Sequence, residues 1–332
     1  MTGPLLDVVA LGSAIVDVLA TAQDADLDAR GLVKGTMALV DDERADELYA
    51  GMGPAVEASG GSAANTVAGV ASFGGSAAFI GKVRDDQFGE VFTHDMRAMG
   101  VAYDTPPATD GPATARCLVF VTPDAQRTMT TYLGAATGLG PDDVDTAVVA
   151  SARYTYLEGY LWDPPEAISA LRLAISAASH AGRQVALSLS DPFCVDRHRN
   201  DFLELVDDHV DVLFANEVEI MSLFEVTTPA DAFDAIRRRG RCKLAAVTLG
   251  PGGSAILTPD GVIERPAVPV DDVVDTTGAG DLYAAGFLHG LASGAGLVQC
   301  ADRGSLAAAE VISHVGARPL VPLASLLERG TG

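Results

Sequence analysis

Asp275-Thr276-Thr277-Gly278-Ala279-Gly280-Asp281, followed by the apolar run LYAAGFLHGL (282–291), is the stretch on which the reading of this chain turns. Two glycines and an alanine clear space around a backbone, and the run behind them suits a buried helix. The pattern predicts a loop feeding a helix N-terminus, with a carboxylate at the junction. The first turn of a helix leaves N–H groups unpaired, and its dipole favours negative charge. Gly278, Ala279 and Gly280 can therefore form an anion hole. A carboxylate beside that hole makes a poor anchor for an anion. It makes a good base for a hydroxyl attacking phosphorus, because phosphoryl transfer needs positioning, charge neutralisation and an oriented nucleophile. The plain structural alternative is that Asp281 caps the helix.

The rest of the chain narrows the chemistry. It has 332 residues, 48% of them apolar, which suffices for one large domain with a substantial core. The net charge is −23. Such a surface repels nucleic acid and anionic membranes and favours a small-molecule partner. An anionic ligand would then need a local positive site made of backbone amides, an arginine or a metal. Cys117, Cys194, Cys242 and Cys300 are far apart in sequence and form no C-x-x-C, so a reducing cytoplasm is expected. No apolar run reaches membrane-spanning length, and no basic leader precedes Asp7.

Strands are expected at 7–11, 77–80, 184–190, 212–215 and 244–249, with helices at 64–73, 164–181, 201–210 and 230–239. This alternation predicts α/β architecture built of parallel βαβ units with helices on both faces. Residues 13–40 and 115–133 break the rhythm, the second around a turn at 122–126. Together they predict a small antiparallel sheet standing off the main body. Two nucleotide-binding loops are excluded. GSAAFIGKV (75–83) has the wrong glycine spacing and a Val where a P-loop needs Ser or Thr. The turn at Gly12 lacks the dinucleotide G-x-G-x-x-G pattern.

A second motif, GGSAAN (60–65), joins DTTGAGD, and between them run GKVRDDQFG (81–89), NEVE (216–219) and TLGPGG (248–253). This ordered set resembles the ribokinase-like (PfkB) family of carbohydrate and nucleoside kinases over nearly the whole chain. The resemblance implies a three-layer α/β/α domain covering 1–332, with a β lid from segments near 13–40 and 112–133. It also implies transfer of the γ-phosphoryl of ATP to a primary hydroxyl, with Mg2+ present.

Carried over by position, Asp281 is the catalytic base and Gly278, Ala279 and Gly280 hold the transferring phosphate. Asp17 accepts from two vicinal hydroxyls, one on each oxygen. Gly61, Ser62 and Asn65 line the sugar; a strand–helix turn with Ser62 as N-cap fits the same residues. Asn216 and Glu219 organise magnesium through water, or else simply start a solvated helix. Thr248, Gly250 and Gly253 receive ATP, or else form a plain glycine turn. Asp275, Thr277 and Gly316 match positions that touch potassium in many relatives.

Four stretches, QRTMTTYLGAA (126–136), YLEGYLWDPPEA (156–167), LSLSDPF (187–193) and VDVLFANEVE (210–219), resemble the adenosine kinase branch. That likeness implies that Arg127 reaches the phosphates. It also implies that Met129, Thr131 and Leu133, taken as alternating on one strand face, wall a flat base; ordinary sheet packing is the alternative. Tyr160, Leu161 and Trp162 would add surface nearby. Ser13, close to the sugar, and Tyr132 depart from the branch's usual Asn and side-chain amide. These departures leave another nucleoside or a free sugar open beside adenosine. A non-enzymatic sensor on this fold would not need the whole set of Asp281, anion hole, NEVE and Arg127. The family contains both monomers and homodimers.

Overall fold

A computed structural model describes residues 6–124, 126–239 and 241–329, so Ala125 of the expected 122–126 turn lies outside the described residues. The strands run in chain order as β1 (Leu6–Leu11), β2 (Ile15–Thr21), β3 (Met37–Leu39), β4 (Ala55–Gly60), β5 (Ala77–Ile80), β6 (Val101–Tyr103) and β7 (Ala115–Val121). They continue as β8 (Arg127–Tyr132), β9 (Ala152–Glu158), β10 (Gln184–Ser188), β11 (Val212–Asn216), β12 (Leu244–Thr248), β13 (Ser254–Thr258) and β14 (Gly261–Arg265).

Nine strands form the main sheet in the order β14-β13-β12-β11-β10-β9-β1-β5-β6. From β6 to β12 every neighbour pairs in parallel, and β13 and β14 close the far edge antiparallel. The parallel strands are largely apolar and buried because helices cover both faces. In β1, Val8 and Ala10 enter one core while Val9 and Leu11 enter the other, the period-two alternation of a strand. The expected βαβ architecture is what the chain adopts. Segment Pro192–Asp208 is kinked at His198, whose backbone is not helical; the part after the kink answers the expected helix at 201–210, and the part before it, capped by Asp191 and opened by Pro192, was not expected.

The second sheet has the order β3-β8-β7-β2-β4. It is mixed rather than antiparallel: β2 runs parallel to β7, and β3 parallel to β8. It also includes β4, which sequence reading left unassigned because AVEASG carries little apolar character and lies at an edge. One face of this sheet, with Val16, Val18, Leu118 and Phe120, is buried in the first core. The opposite face carries Asp17, Leu19, Val119 and Met129, flanked by exposed Val56, Met37 and Leu39. No helix among the described residues is long and apolar enough to cross a membrane.

Candidate functional site

Parallel sheets present ligands at the carboxyl ends of their strands, and the chemistry-bearing residues collect there. Glu158 ends β9, Ser188 ends β10, Asn216 ends β11 and Thr248 ends β12, while Gly12-Ser13 follow β1. Two helix N-termini meet above this edge. Helix Ser62–Ser72 packs against helix Ala279–Ala292 so closely that a Cβ on Gly69 would come within 2.6 Å of the Ala285 Cβ.

Asp281 lies in the first turn of the second helix. Its Oδ1 accepts the Ser62 hydroxyl at 2.6 Å and its Oδ2 accepts Asn65 Nδ2 at 2.8 Å. The helix cap is Gly278, so Asp281 does not serve as the N-cap. Ser62 is likewise not a cap: Gly61 takes that place, with φ +92°, and a Cβ there would come within 2.3 Å of the Ser13 carbonyl. Gly278 has φ +79°, and a Cβ on it would come within 2.7 Å of the Ala317 Cβ. Ala279 N–H donates to Thr276 O at 3.2 Å, whereas the amides of Gly278, Gly280 and Asp281 have no protein acceptor among the described residues. Gly280 faces open space.

Asp17 is buried close enough to Asp281 for the two charges to interact. A Cβ on Gly60 would come within 2.3 Å of its Oδ2, and its charge is felt together with those of Arg318, Arg127, Asp281 and Asp275. Burial pushes the Asp17 carboxyl up to about 6, against the pull of Arg318 and Arg127. Burial also raises Asp281, and the bonds from Ser62 and Asn65 oppose that rise.

Two adjoining cavities flank the Asp281 helix. One, of about 610 Å³, is largely apolar: Val268, Val270, Ala308 and Ile312 line it together with Thr248, Gly250, Gly253 and Gly280. The smaller, of about 160 Å³, is polar and is bordered by Ser62, Asn216, Glu219, Gly280 and Asp281. Thr248, Gly280 and Tyr283 border both. The apolar residues at 267–273 and 305–312 were not singled out from sequence, because nothing in a short valine–proline run separates a ligand wall from ordinary packing.

Asn216 caps helix Glu217–Phe224, and Glu219 answers it in a capping box. The pair thus starts a helix, as its plain structural alternative had it. The helix start is not solvated, however: Glu219 is buried, and burial lifts its carboxyl to about 7. Each Glu219 oxygen accepts one bond from Asn216 and keeps capacity for another. That suits holding water around a cation. No group of three or more His, Cys, Asp or Glu side chains able to hold a metal occurs among the described residues.

Arg127 pairs with Asp275 at 2.5 Å and donates to Thr277 Oγ1 at 3.0 Å. Asp275 also accepts the amides of Thr277 at 3.0 Å and Gly316 at 2.9 Å. The three residues matched to a potassium site thus meet, with both carboxylate oxygens already engaged by N–H donors.

Met129 and Thr131 share a face with Asp17 through the Asp17–Cys117–Thr131 row. Leu133 lies beyond the end of β8 in a helical conformation, which corrects its place on that face. Tyr132 alternates to the opposite face, where Arg116 sits over its ring at 5.6 Å. Tyr160 keeps 39% exposure and donates to Ser190 O at 3.3 Å. Leu161 and Trp162 are core residues and not site surface: both are buried, and Trp162 packs edge-on against Phe202.

Two residues at the site were not singled out in the sequence. Glu158 is buried between Ala63 N–H at 2.9 Å and Ser13 N–H at 3.4 Å, and burial lifts it to about 7. Arg318 donates to Ser59 O at 3.0 Å and to Ala64 O. Only the partners across space give either residue a meaning.

A buried carboxylate beside free amides at a helix N-terminus, with a polar cavity joined to an apolar one, is an arrangement that suits a phosphotransferase acting on a hydroxyl acceptor. The chain belongs to the pfkB family of carbohydrate kinases, whose family model matches residues 31–324. ATP is the phosphoryl donor that this family implies. The adenosine kinase of Sinorhizobium meliloti is 51% identical, with 99% of this chain and 100% of that one covered and a TM-score of 0.91. A probable sugar kinase from Rhizobium etli CFN 42 is 47% identical over 99% of both chains, with a TM-score of 0.92. The adenosine kinase of Saccharomyces cerevisiae is 29% identical over 95% of this chain and 96% of its own length.

Proposed function

We propose that this kinase phosphorylates the 5′-hydroxyl of a nucleoside, with adenosine as the acceptor. The observation that carries the reading is the two-sided approach to Asp281. Gly280 opens toward the apolar cavity, which suits the donor's adenine, while Ser62 and Asn65 bond the carboxylate and Asp17 lies within range of its charge, which suits an acceptor on that side. Asp17 accepts the 2′- and 3′-hydroxyls, and Asp281 orients the 5′-hydroxyl and takes its proton late in the transfer. The free amides at 278–281 stabilise charge on the phosphoryl group where it develops. Magnesium, when bound, would neutralise phosphate charge, and Asn216 and Glu219 are the residues that would hold its waters. The second sheet acts as a lid that excludes water. Arg127 already bridges that lid to the loop before Gly278, and contact with the phosphates would require it to share or leave Asp275.

A specific observation favours a second reading, a free-sugar acceptor. The 47% identity to a probable sugar kinase over 99% of both chains supports it. A phosphorylated sugar fits less well, since Arg127 is engaged by Asp275 and Arg318 by backbone carbonyls. ADP release measured with adenosine, ribose and fructose 6-phosphate, with and without potassium, tests the choice. Adenosine should give the highest kcat/KM; a preference for ribose would overturn the nucleoside reading and leave the kinase.

A further inference from the structure

Arg318 reaches the acceptor side of the cleft from the segment Gly316-Ala317-Arg318, each residue of which touches a different part of the centre. Gly316 N–H binds Asp275, and Ala317 packs under Gly278. The Arg318 guanidinium donates from Nε to Ser59 O at 3.0 Å, from Nη2 to Ser59 Oγ at 3.2 Å, and from Nη1 to Ala64 O. Ser59 precedes Gly60, the residue packed on Asp17, and Ala64 lies between Ser62 and Asn65, the residues that hold Asp281. The guanidinium is therefore one residue removed from the contacts of both carboxylates.

Its acceptors are neutral: two carbonyls, a hydroxyl and, at 3.7 Å, the Met96 sulfur. It has no direct ion pair among the described residues. A buried cation without one is costly unless other charges lie near. The charges that face it are Asp17, Asp281 and Asp95.

We infer that Arg318 is the positioning residue of this centre, a single guanidinium that joins the end of β4 to the first turn of helix Ser62–Ser72 and is the common counter-charge of Asp17 and Asp281. Burial pushes Arg318 itself down to about 10, so it stays cationic wherever the two carboxyls titrate, and it lowers both. The other groups facing the pair are Arg127, Asp275 and Cys117 around Asp17, and Glu158, Glu219, Tyr156 and Tyr160 around Asp281.

The inference rests on the kinase reading above, and the test separates the two. Wild type, Arg318→Gln and Arg318→Lys are compared for kcat/KM with adenosine and Mg-ATP from pH 5 to 9, alongside thermal melting and calorimetric adenosine binding over the same range. The Gln variant should move the acid limb up by about one unit, a roughly tenfold deficit near pH 6 that shrinks by pH 8.5. The Lys variant should keep the wild-type limb. A loss equal at every pH in the variants that fold overturns the inference. So does a limb in the Lys variant displaced as far as in Gln, or a failure of both variants to fold, which would make the residue architectural. A wild type that phosphorylates no acceptor refutes the kinase reading instead, and the pH dependence of adenosine binding then decides the role of Arg318.

Discussion

The Asp281 helix and the sheet that carries Asp17 bring two buried carboxylates within range of each other but are built differently. Helix Ala279–Ala292 is enclosed by helices Ser62–Ser72 and Leu297–Val311 and the main sheet, through glycines that admit no side chain. The sheet holding Asp17 buries one face and leaves Met37, Leu39 and Val56 open on the other. In the proposed reaction one region supplies the base and the anion hole from a fixed frame. The other would grip the acceptor; its inner face shares the first core with that frame, and the Arg127–Asp275 pair and the Arg318 carbonyl bonds tie it further. A two-substrate transfer is served by that division, because the acceptor must enter before water is excluded.

The contrast can be broken most severely at Asp281. Asp281→Asn should fold, bind both substrates and lose on the order of 10²–10⁴-fold in kcat, the scale of general-base loss. Turnover close to wild type in single-turnover kinetics would remove the base from Asp281. Asp17→Asn should lose roughly 10²-fold in kcat/KM, mostly through KM, since two charge-assisted bonds to the acceptor become neutral ones. If kcat falls instead and KM holds, the division between gripping sheet and catalytic helix is wrong.

Glu158 sharpens the comparison, because it ties Ser13 to Ala63 from the floor of the fixed frame. Its carboxyl rises from 4.5 to about 7 on folding, so between those values the native state holds more protons than the unfolded chain. The contribution of Glu158 to stability is therefore full below about pH 4.5 and is lost as pH rises through about 7. Denaturant melts should show roughly 2–3 kcal/mol of that decline missing in Glu158→Gln; an identical decline in both proteins would show that Glu158 titrates normally. The smallest effect belongs to the open face of the second sheet. Val56→Thr should change stability by less than about 0.5 kcal/mol in the same melts, because its side chain is already largely in water. A larger loss would mean that something covers this face in solution.

Much of the frame could be read in the linear chain, because its signals are local. Strand and helix periods, the Gly278–Gly280 loop and its Asp281, and the NEVE capping pattern lie within short windows whose geometry backbone sterics and hydrogen bonding dictate. The strand and helix sites followed from those patterns, but the turns that Asp191 caps before the kink at His198 did not. Tertiary packing alone decided the rest. Whether β2 pairs with β7 in parallel, whether AVEASG becomes an edge strand, and whether Leu161 and Trp162 meet the ligand or the core all depend on what lies across space. Glu158 and Arg318 show why most plainly: a charge buried in a folded protein acts through field and hydrogen bonds on residues far away in sequence, and no local pattern of side chains encodes that distance.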